Sequence, residues 1–106
     1  MQVLLQSTVS QHLNALRALC HYEHIDKCIV FGSAARADFG SGSDVDVVVA
    51  FAPDERVTLF RLRRITQNME RVIGRPVDLH TWAEIHPKIQ AKIRREGVPI
   101  VERRTG

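Results

Sequence analysis

Three aspartates and one glycine-serine pair are the residues of this sequence whose types and spacing could do chemistry. Asp44 and Asp46 stand at the head of the apolar run Val45 to Phe51. On an extended strand, that spacing of two projects both carboxylates from one side, with α-carbons roughly 6.5–7 Å apart. Such a pair can hold one hard cation or bridge two. Mg2+ suits it well, because this ion takes oxygen ligands and completes its shell with water and phosphate oxygens. Two ions about 3.5–4 Å apart would serve an in-line displacement at phosphorus, one activating the attacking oxygen and the other stabilising the leaving group.

Asp78 lies in a third short run, Pro76-Val77-Asp78-Leu79-His80. A carboxylate buried there without a partner would be costly. A metal shared with Asp44 and Asp46 would supply the partner, and Asp78 could also orient or deprotonate an acceptor hydroxyl. Taken alone, Asp78 could instead pair with Arg75 or His80. His80 falls on the same strand face and reads as packing or as a supporting hydrogen bond rather than as a catalytic group.

The Gly32-Ser33 pair follows the apolar run Cys28-Ile29-Val30-Phe31. A Gly-Ser turn leading from a strand toward a helix start exposes backbone N–H groups and a hydroxyl, which together favour a phosphate oxygen. Glycine allows the close backbone approach. Each piece has a plain alternative: Gly-Ser after a strand is commonly only a turn, and Asp44 and Asp46 alone would pass for surface acids. Their conjunction argues otherwise, because aspartate is disfavoured in strands and this chain places three in or beside short ones.

These residues need elements to position them. Val3, Leu5, Val9, Leu13, Leu16 and Cys20 recur at helical spacing, so residues from about 2 to 22 are expected to form an amphipathic helix. Cys28 to Phe31, Val45 to Phe51 and Pro76 to His80 read as short strands. Between the first two, Ala34 to Asp38 makes at most a helical turn, and Phe39-Gly40-Ser41-Gly42-Ser43 is a loop. Pro53 and Asp54 are expected to open a helix with Leu59, Leu62, Ile65, Met69 and Val72 on one side, closed by Gly74. A last helix, about Ala83 to Glu96, carries Ile85, Ile89 and Ile93, ends on a left-handed Gly97, and leads to an edge strand at Ile100-Val101. The order predicts an α+β fold in which a small mixed β-sheet is flanked by helices, built as one domain over residues 1–106.

Composition sets the outer bounds. With 44% hydrophobic and 25% charged residues in 106, the chain has the balance of an ordinary globular domain at the small end of the range that folds on one core. No apolar run approaches the roughly 20 residues of a membrane span. The N-terminal stretch lacks the charged start and cleavage site of a signal peptide, so a cytoplasmic location is expected. Cys20 and Cys28 form no C-x-x-C pair and read as reduced packing residues. His12, His21, His24 and His86 show no metal-ligand spacing. The net charge of +3, carried by an arginine excess, suits a nucleotide, RNA or an acidic protein face without choosing among them. Trp82 and Tyr22 are too few for a stacking platform on single-stranded nucleic acid.

The pattern Gly32-Ser33, then Ala35-Arg36, then Ser43-Asp44-Val45-Asp46, with the later strand residue Asp78, resembles the minimal nucleotidyltransferases of the polymerase-beta-like superfamily. The likeness runs from about Cys28 to His80 and more loosely through the last helix. It implies the nucleotidyltransferase fold and an acidic triad of Asp44, Asp46 and Asp78 that binds Mg2+ and is catalytic. It also implies a triphosphate contact at Gly32 and Ser33, with Arg36 and Ser43 completing the nucleotide-binding candidates. Ala37 stands where the family commonly has Gly, and Gly40-Ser41-Gly42 is looser than its usual loop; neither touches the triad. The same resemblance implies an antitoxin that transfers AMP from ATP to a tyrosine of a HEPN-family toxin, working in a hetero-oligomer with that toxin. Two alternatives stay open: neutralisation of the HEPN ribonuclease by binding alone, and nucleotidyl transfer to RNA or a small molecule.

Overall fold

A computed structural model describes residues 12–32 and 44–102. Helix α1 (Leu13–Tyr22) leads into strand β1 (Ile25–Phe31), followed by strand β2 (Val45–Phe51), helix α2 (Leu59–Ile73), strand β3 (Val77–Thr81), a 3-10 turn (Trp82–Glu84), helix α3 (Pro87–Glu96) and strand β4 (Val98–Glu102). The sheet order is β3-β2-β1-β4. Strand β1 pairs antiparallel with both β2 and β4, whereas β2 and β3 run parallel. The expected mixed sheet flanked by helices is therefore present, including the edge strand after the last helix.

Strand alternation divides the core between the two faces of the sheet. Cys28, Val30, Val45, Val47 and Val49 point with Leu16 and Cys20 of α1 and Ile65, Met69 and Ile73 of α2 into the larger cluster. Ile29 and Val48 point the other way and pack with Ile93 of α3, flanked by Phe31, Trp82 and Ile85. Because β2 is covered on both faces, Val45, Val47, Val48 and Val49 are all buried, which is why this run is nearly continuous valine rather than alternating. Cys20 and Cys28 are free and buried in the larger cluster, as expected of packing residues. A hydrogen bond to Cys20 and its own burial push the Cys28 thiol well up, so it is inert as a nucleophile.

Several boundaries differ from the sequence expectation. Helix α2 starts at Leu59, not at Pro53: Thr58 caps it, its hydroxyl accepting from the Arg61 N–H at 3.1 Å. Asp54 has φ of 70°, which no helix can contain. Arg61 fixes the intervening loop, bridging to Glu55 at 2.9 Å and donating to the Arg56 carbonyl at 2.8 Å. Helix α3 starts at Pro87, with the His86 Nδ1 accepting from the Lys88 N–H at 3.1 Å; the residues before it form the 3-10 turn, held by Glu84 reaching back to the Thr81 N–H at 2.7 Å. Ile85 therefore packs from outside the helix. Gly74 is the left-handed cap, with φ of 78°. Gly97 is extended, with φ of −75°, and glycine is needed there for space: a Cβ would lie 2.5 Å from Ile29 Cγ2 and 2.7 Å from the Ile93 carbonyl oxygen. Of the expected first helix, the part before His12 lies outside the described residues. Among the described residues, no helix is long and apolar enough to cross a membrane.

One polar contact in the core side of the fold was not visible in the sequence. Glu23, in the turn after α1, is only 2% exposed. Arg64 reaches its two carboxylate oxygens at 2.8 and 3.2 Å, and Arg61 lies 3.4 Å from one of them while also donating to the Glu23 carbonyl. This clasp fixes α2, the crossover between the parallel strands, against the turn that starts β1. Replacing Glu23 with Ala removes the buried carboxylate that both guanidiniums share, while Arg61 keeps Glu55 and its backbone carbonyl acceptors, so the Glu23→Ala variant is expected to lose roughly 1–3 kcal/mol of stability. Urea denaturation followed by circular dichroism measures it; a loss indistinguishable from zero would remove the clasp from the account of the fold.

Candidate active site

The register of three adjacent strands assembles the site. Asp46 is the second residue of β2; it faces Phe31 on β1 and Asp78 on β3. The next residues on that face of β2 and β3, Val48 and His80, are also register partners. Strand periodicity therefore puts Asp46, Asp78 and His80 on the α3 side of the sheet. One ligand atom from each of the three lies within 4.8 Å of the other two. The His80 Nε2 sits 3.2 Å from Asp78 Oδ2, and the His80 ring is fixed against Phe31 at a centroid distance of 5.8 Å.

Gly32 closes β1 beside this group. Its φ of 70° is the left-handed region, and a Cβ added there would collide with Asp46 Oδ2. The glycine is thus required twice, by backbone conformation and by the closeness of the carboxylate. Past Gly32, a cleft of about 230 Å³ opens between the end of β1 and α3, walled by Phe31, Ile89 and Ile93 with Lys92 and Glu96.

The charges are unbalanced in a way that favours a cation. Partial burial raises the Asp46 pKa above the usual carboxylate value; the Asp78 charge adds to that, His80 opposes it, and Asp44 adds a smaller rise. Two carboxylates in register on neighbouring strands repel. Oxygen donors that converge with their charge uncompensated are what a hard divalent ion needs, so the residues present fit the metal that the sequence suggests.

The sequence candidates divide as follows. Asp46, Asp78 and Gly32 are brought together. Asp44 is exposed just ahead of β2, near enough to bear on Asp46 but outside the three-residue cluster. Ser33, Arg36 and Ser43 lie outside the described residues. Asp78 is not buried as expected: β3 is the edge of the sheet, and the Asp78 side chain is 56% exposed. Its exposure leaves it open to solvent, and His80 pairs with it at 3.2 Å. His80 takes the packing and pairing position that its spacing of two from Asp78 suggested.

Two substitutions test this geometry. A raised pKa means that ionising Asp46 costs the folded, metal-free protein stability as pH rises toward and through its folded pKa. The Asp46→Asn variant is therefore expected to melt at a higher temperature than the parent at pH 7 without metal, the difference shrinking as pH falls toward about 4. Scanning calorimetry across that range checks the sign. Gly32→Ala is expected to cost roughly 1–2 kcal/mol from backbone conformation alone and to displace the Asp46 carboxylate, so divalent-ion affinity should fall along with the melting temperature.

The comparisons with known proteins agree with this geometry. The family model described as "Polymerase beta, Nucleotidyltransferase" matches residues 14–105. A Methanocaldococcus jannaschii protein named as a candidate protein adenylyltransferase is 34% identical over 77 residues, which is 73% of this chain and 81% of that protein. Among solved structures, a candidate minimal nucleotidyltransferase superposes with a TM-score of 0.76 at 29% identity, covering 88% of this chain and 93% of its own. A chain from the complex of a tri-AMPylated Shewanella oneidensis HEPN toxin with an MNT antitoxin gives a TM-score of 0.64 at 16% identity, covering 88% of this chain and 71% of its own, and shares the fold. With nearly the whole described chain inside the family match, and Asp46 and Asp78 aligned on adjacent strands beside Gly32, this protein belongs to the polymerase beta nucleotidyltransferase family.

Proposed function

We propose that this protein transfers AMP from ATP to a tyrosine hydroxyl of a HEPN-family toxin and so acts as its antitoxin. The observation that carries the reading is the convergence of Asp46 and Asp78, in register on neighbouring strands, beside the Gly32 turn. Asp44, Asp46 and Asp78 are the residues that would hold Mg2+, which when bound neutralises phosphate charge and lowers the pKa of an attacking hydroxyl. Gly32, with Ser33, Arg36 and Ser43, is assigned to the triphosphate. The cleft beside Gly32 offers apolar walls to the nucleoside.

In the reaction, the acceptor oxygen forms a bond to the α-phosphorus, and the bond from that phosphorus to the bridging oxygen of pyrophosphate breaks. The tyrosine proton passes to a carboxylate or to water. Asp78 is suited to orient the acceptor, since it is exposed on the edge strand. Asp46, half-buried behind it, is suited to stay with the metal.

A protein acceptor is supported by the surface next to Asp78. Leu59 and Phe60, 84% and 80% exposed, stand at the start of α2. They line a groove with Leu79, the neighbour of Asp78 on β3, and with Arg63 and Glu84 at its rim. Apolar side chains this exposed beside a reactive site fit a partner that covers them. The relative named for protein adenylyltransferase activity and the fold shared with antitoxins found in HEPN complexes support the same choice. Transfer to RNA draws less support, because the Trp82 ring is already occupied by Lys27 and Arg94, at 4.4 and 4.9 Å from its centroid.

A second reading is favoured by the same groove: a partner seated on Leu59 and Phe60 could be neutralised by being covered, with no chemistry. The test separates the two. Incubated with α-labelled ATP, Mg2+ and its HEPN partner, the protein should label a tyrosine of the partner, and Asp44→Ala with Asp46→Ala should cut the rate at least about a hundredfold. No label from a folded parent protein sinks the enzymatic reading. Full neutralisation by the double variant, with the complex intact, establishes the binding one.

A further inference from the structure

We propose that His80 is a direct metal ligand through Nε2, making this site a mixed nitrogen and oxygen centre that prefers Mn2+ over Mg2+ by a wider margin than carboxylates alone would give. The inference rests on the reading of Asp46 and Asp78 as metal-holding residues and adds a ligand that the acidic triad does not contain.

The geometry comes first. His80 Nε2 and Asp78 Oδ2 are 3.2 Å apart. Adjacent ligands on one six-coordinate ion, each about 2.0–2.2 Å from it, are separated by roughly 2.9–3.1 Å, so this pair needs almost no movement to share an ion. Asp46 contributes an oxygen within 4.8 Å of both; opposite positions on one such ion are roughly 4.0–4.4 Å apart, so a shift of a few tenths of an ångström brings it into the same shell. Asp44, outside that cluster, remains available to a second ion or to the substrate side of the first.

The ring is also held for the task. It lies tilted against the Phe31 ring, with centroids 5.8 Å apart, and Val48, its register partner, is fully buried. Rotation away from Asp78 would give up the Phe31 contact. An imidazole that served only to pair with Asp78 would have no need of the second carboxylate; here its nitrogen lies within 4.8 Å of an oxygen of each. Two carboxylates and an imidazole nitrogen converging in this way form a donor set that a divalent cation takes.

The chemistry then sets the preference. Mg2+ binds oxygen and takes nitrogen reluctantly. Transition ions accept imidazole, and their affinity for nitrogen-containing sites exceeds that of Mg2+ from the Mn2+ end of the series onward. Replacing one oxygen of the shell with His80 Nε2 therefore tilts the site toward Mn2+, with Mg2+ still able to occupy it through the carboxylates.

The test reads the ligand directly. The whole chain, labelled with 15N-histidine or unlabelled, is loaded with Mn2+ and a non-hydrolysable ATP analogue and studied by pulsed electron paramagnetic resonance. The expected result is a directly bound nitrogen whose coupling changes with the isotope and vanishes in His80→Ala. In competition titrations, His80→Ala should reduce the preference for Mn2+ over Mg2+ at least about tenfold while sparing Mg2+ binding more than Mn2+ binding. Isotope labelling of the parent protein keeps the question answerable if His80→Ala fails to fold. Bound Mn2+ with no histidine nitrogen overturns this proposal and leaves the acidic site standing. Failure of Mn2+ and Mg2+ to bind at all overturns both.

Discussion

The position of Asp46 depends on strand register, and most of the molecule serves to hold that register. Its carboxylate faces Phe31 on one neighbour and Asp78 on the other. A slip of one residue on either side would turn the partner to the opposite face of the sheet. What forbids the slip is the valine ladder on β2. Val45, Val47, Val48 and Val49 are buried on alternating faces, and each buried valine is worth about 1.5–3 kcal/mol. Their sum exceeds the repulsion between two partly solvated carboxylates, which effective dielectric screening keeps to a few kcal/mol at most.

The parallel pairing of β2 with β3 demands a crossover, and the crossover is where the fold needs its second constraint. Helix α2 buries Ile65, Met69 and Ile73 against the sheet, but an amphipathic helix can slide along its own axis. Glu23 stops it, held by Arg61 and Arg64 one turn apart on that helix. Arg61 also stacks over Phe51, the last residue of β2, at 4.7 Å. One guanidinium thus ties together the end of β2, the loop that follows, the start of α2 and the turn ahead of β1. On the opposite face, Gly97 lets the end of α3 lie directly on Ile29, which brings β4 to the free side of β1 and sets α3 as the wall of the cleft beside Gly32.

Those two constraints explain what could and could not be read from the residues. The strands were legible because each is a compact β-branched run bounded by Gly, Pro or Asp, and the Asp44-x-Asp46 spacing announced a shared face. Helix starts were not. The apolar spacing of α2 gave no marker against the Pro53-Asp54 start, whereas the true boundary depends on Thr58 accepting a backbone N–H and on the left-handed backbone of Asp54. Burial of Asp78 was misjudged because an apolar run reads the same in a central strand as in an edge strand; strand order decides, and it is a property of the whole sheet. The Glu23 clasp joins residues 38 and 41 positions apart, beyond any local pattern. His80 was visible as a residue on the right face, but its nearness to Asp46 follows only from parallel pairing.

The edge position of β3 has a functional logic of its own. An exposed edge strand is ordinarily a liability, because its unpaired backbone invites another chain. Here β3 is short, and it carries Asp78 exposed on one face with His80 beside it. On the other face Leu79 leads into the groove lined by Leu59 and Phe60. A central strand would have buried both features; an edge strand leaves the charged face and the apolar groove both accessible. On the proposed reading, Asp46, one strand further in, holds the cation, while the strand outside it stays open to the acceptor. The family reaction requires a triphosphate held firmly and an acceptor admitted from solution. On the proposed reading, the inner carboxylate, on the strand buried on both faces, serves the first requirement and the outer one, on the edge, serves the second, only one hydrogen-bonded ladder apart.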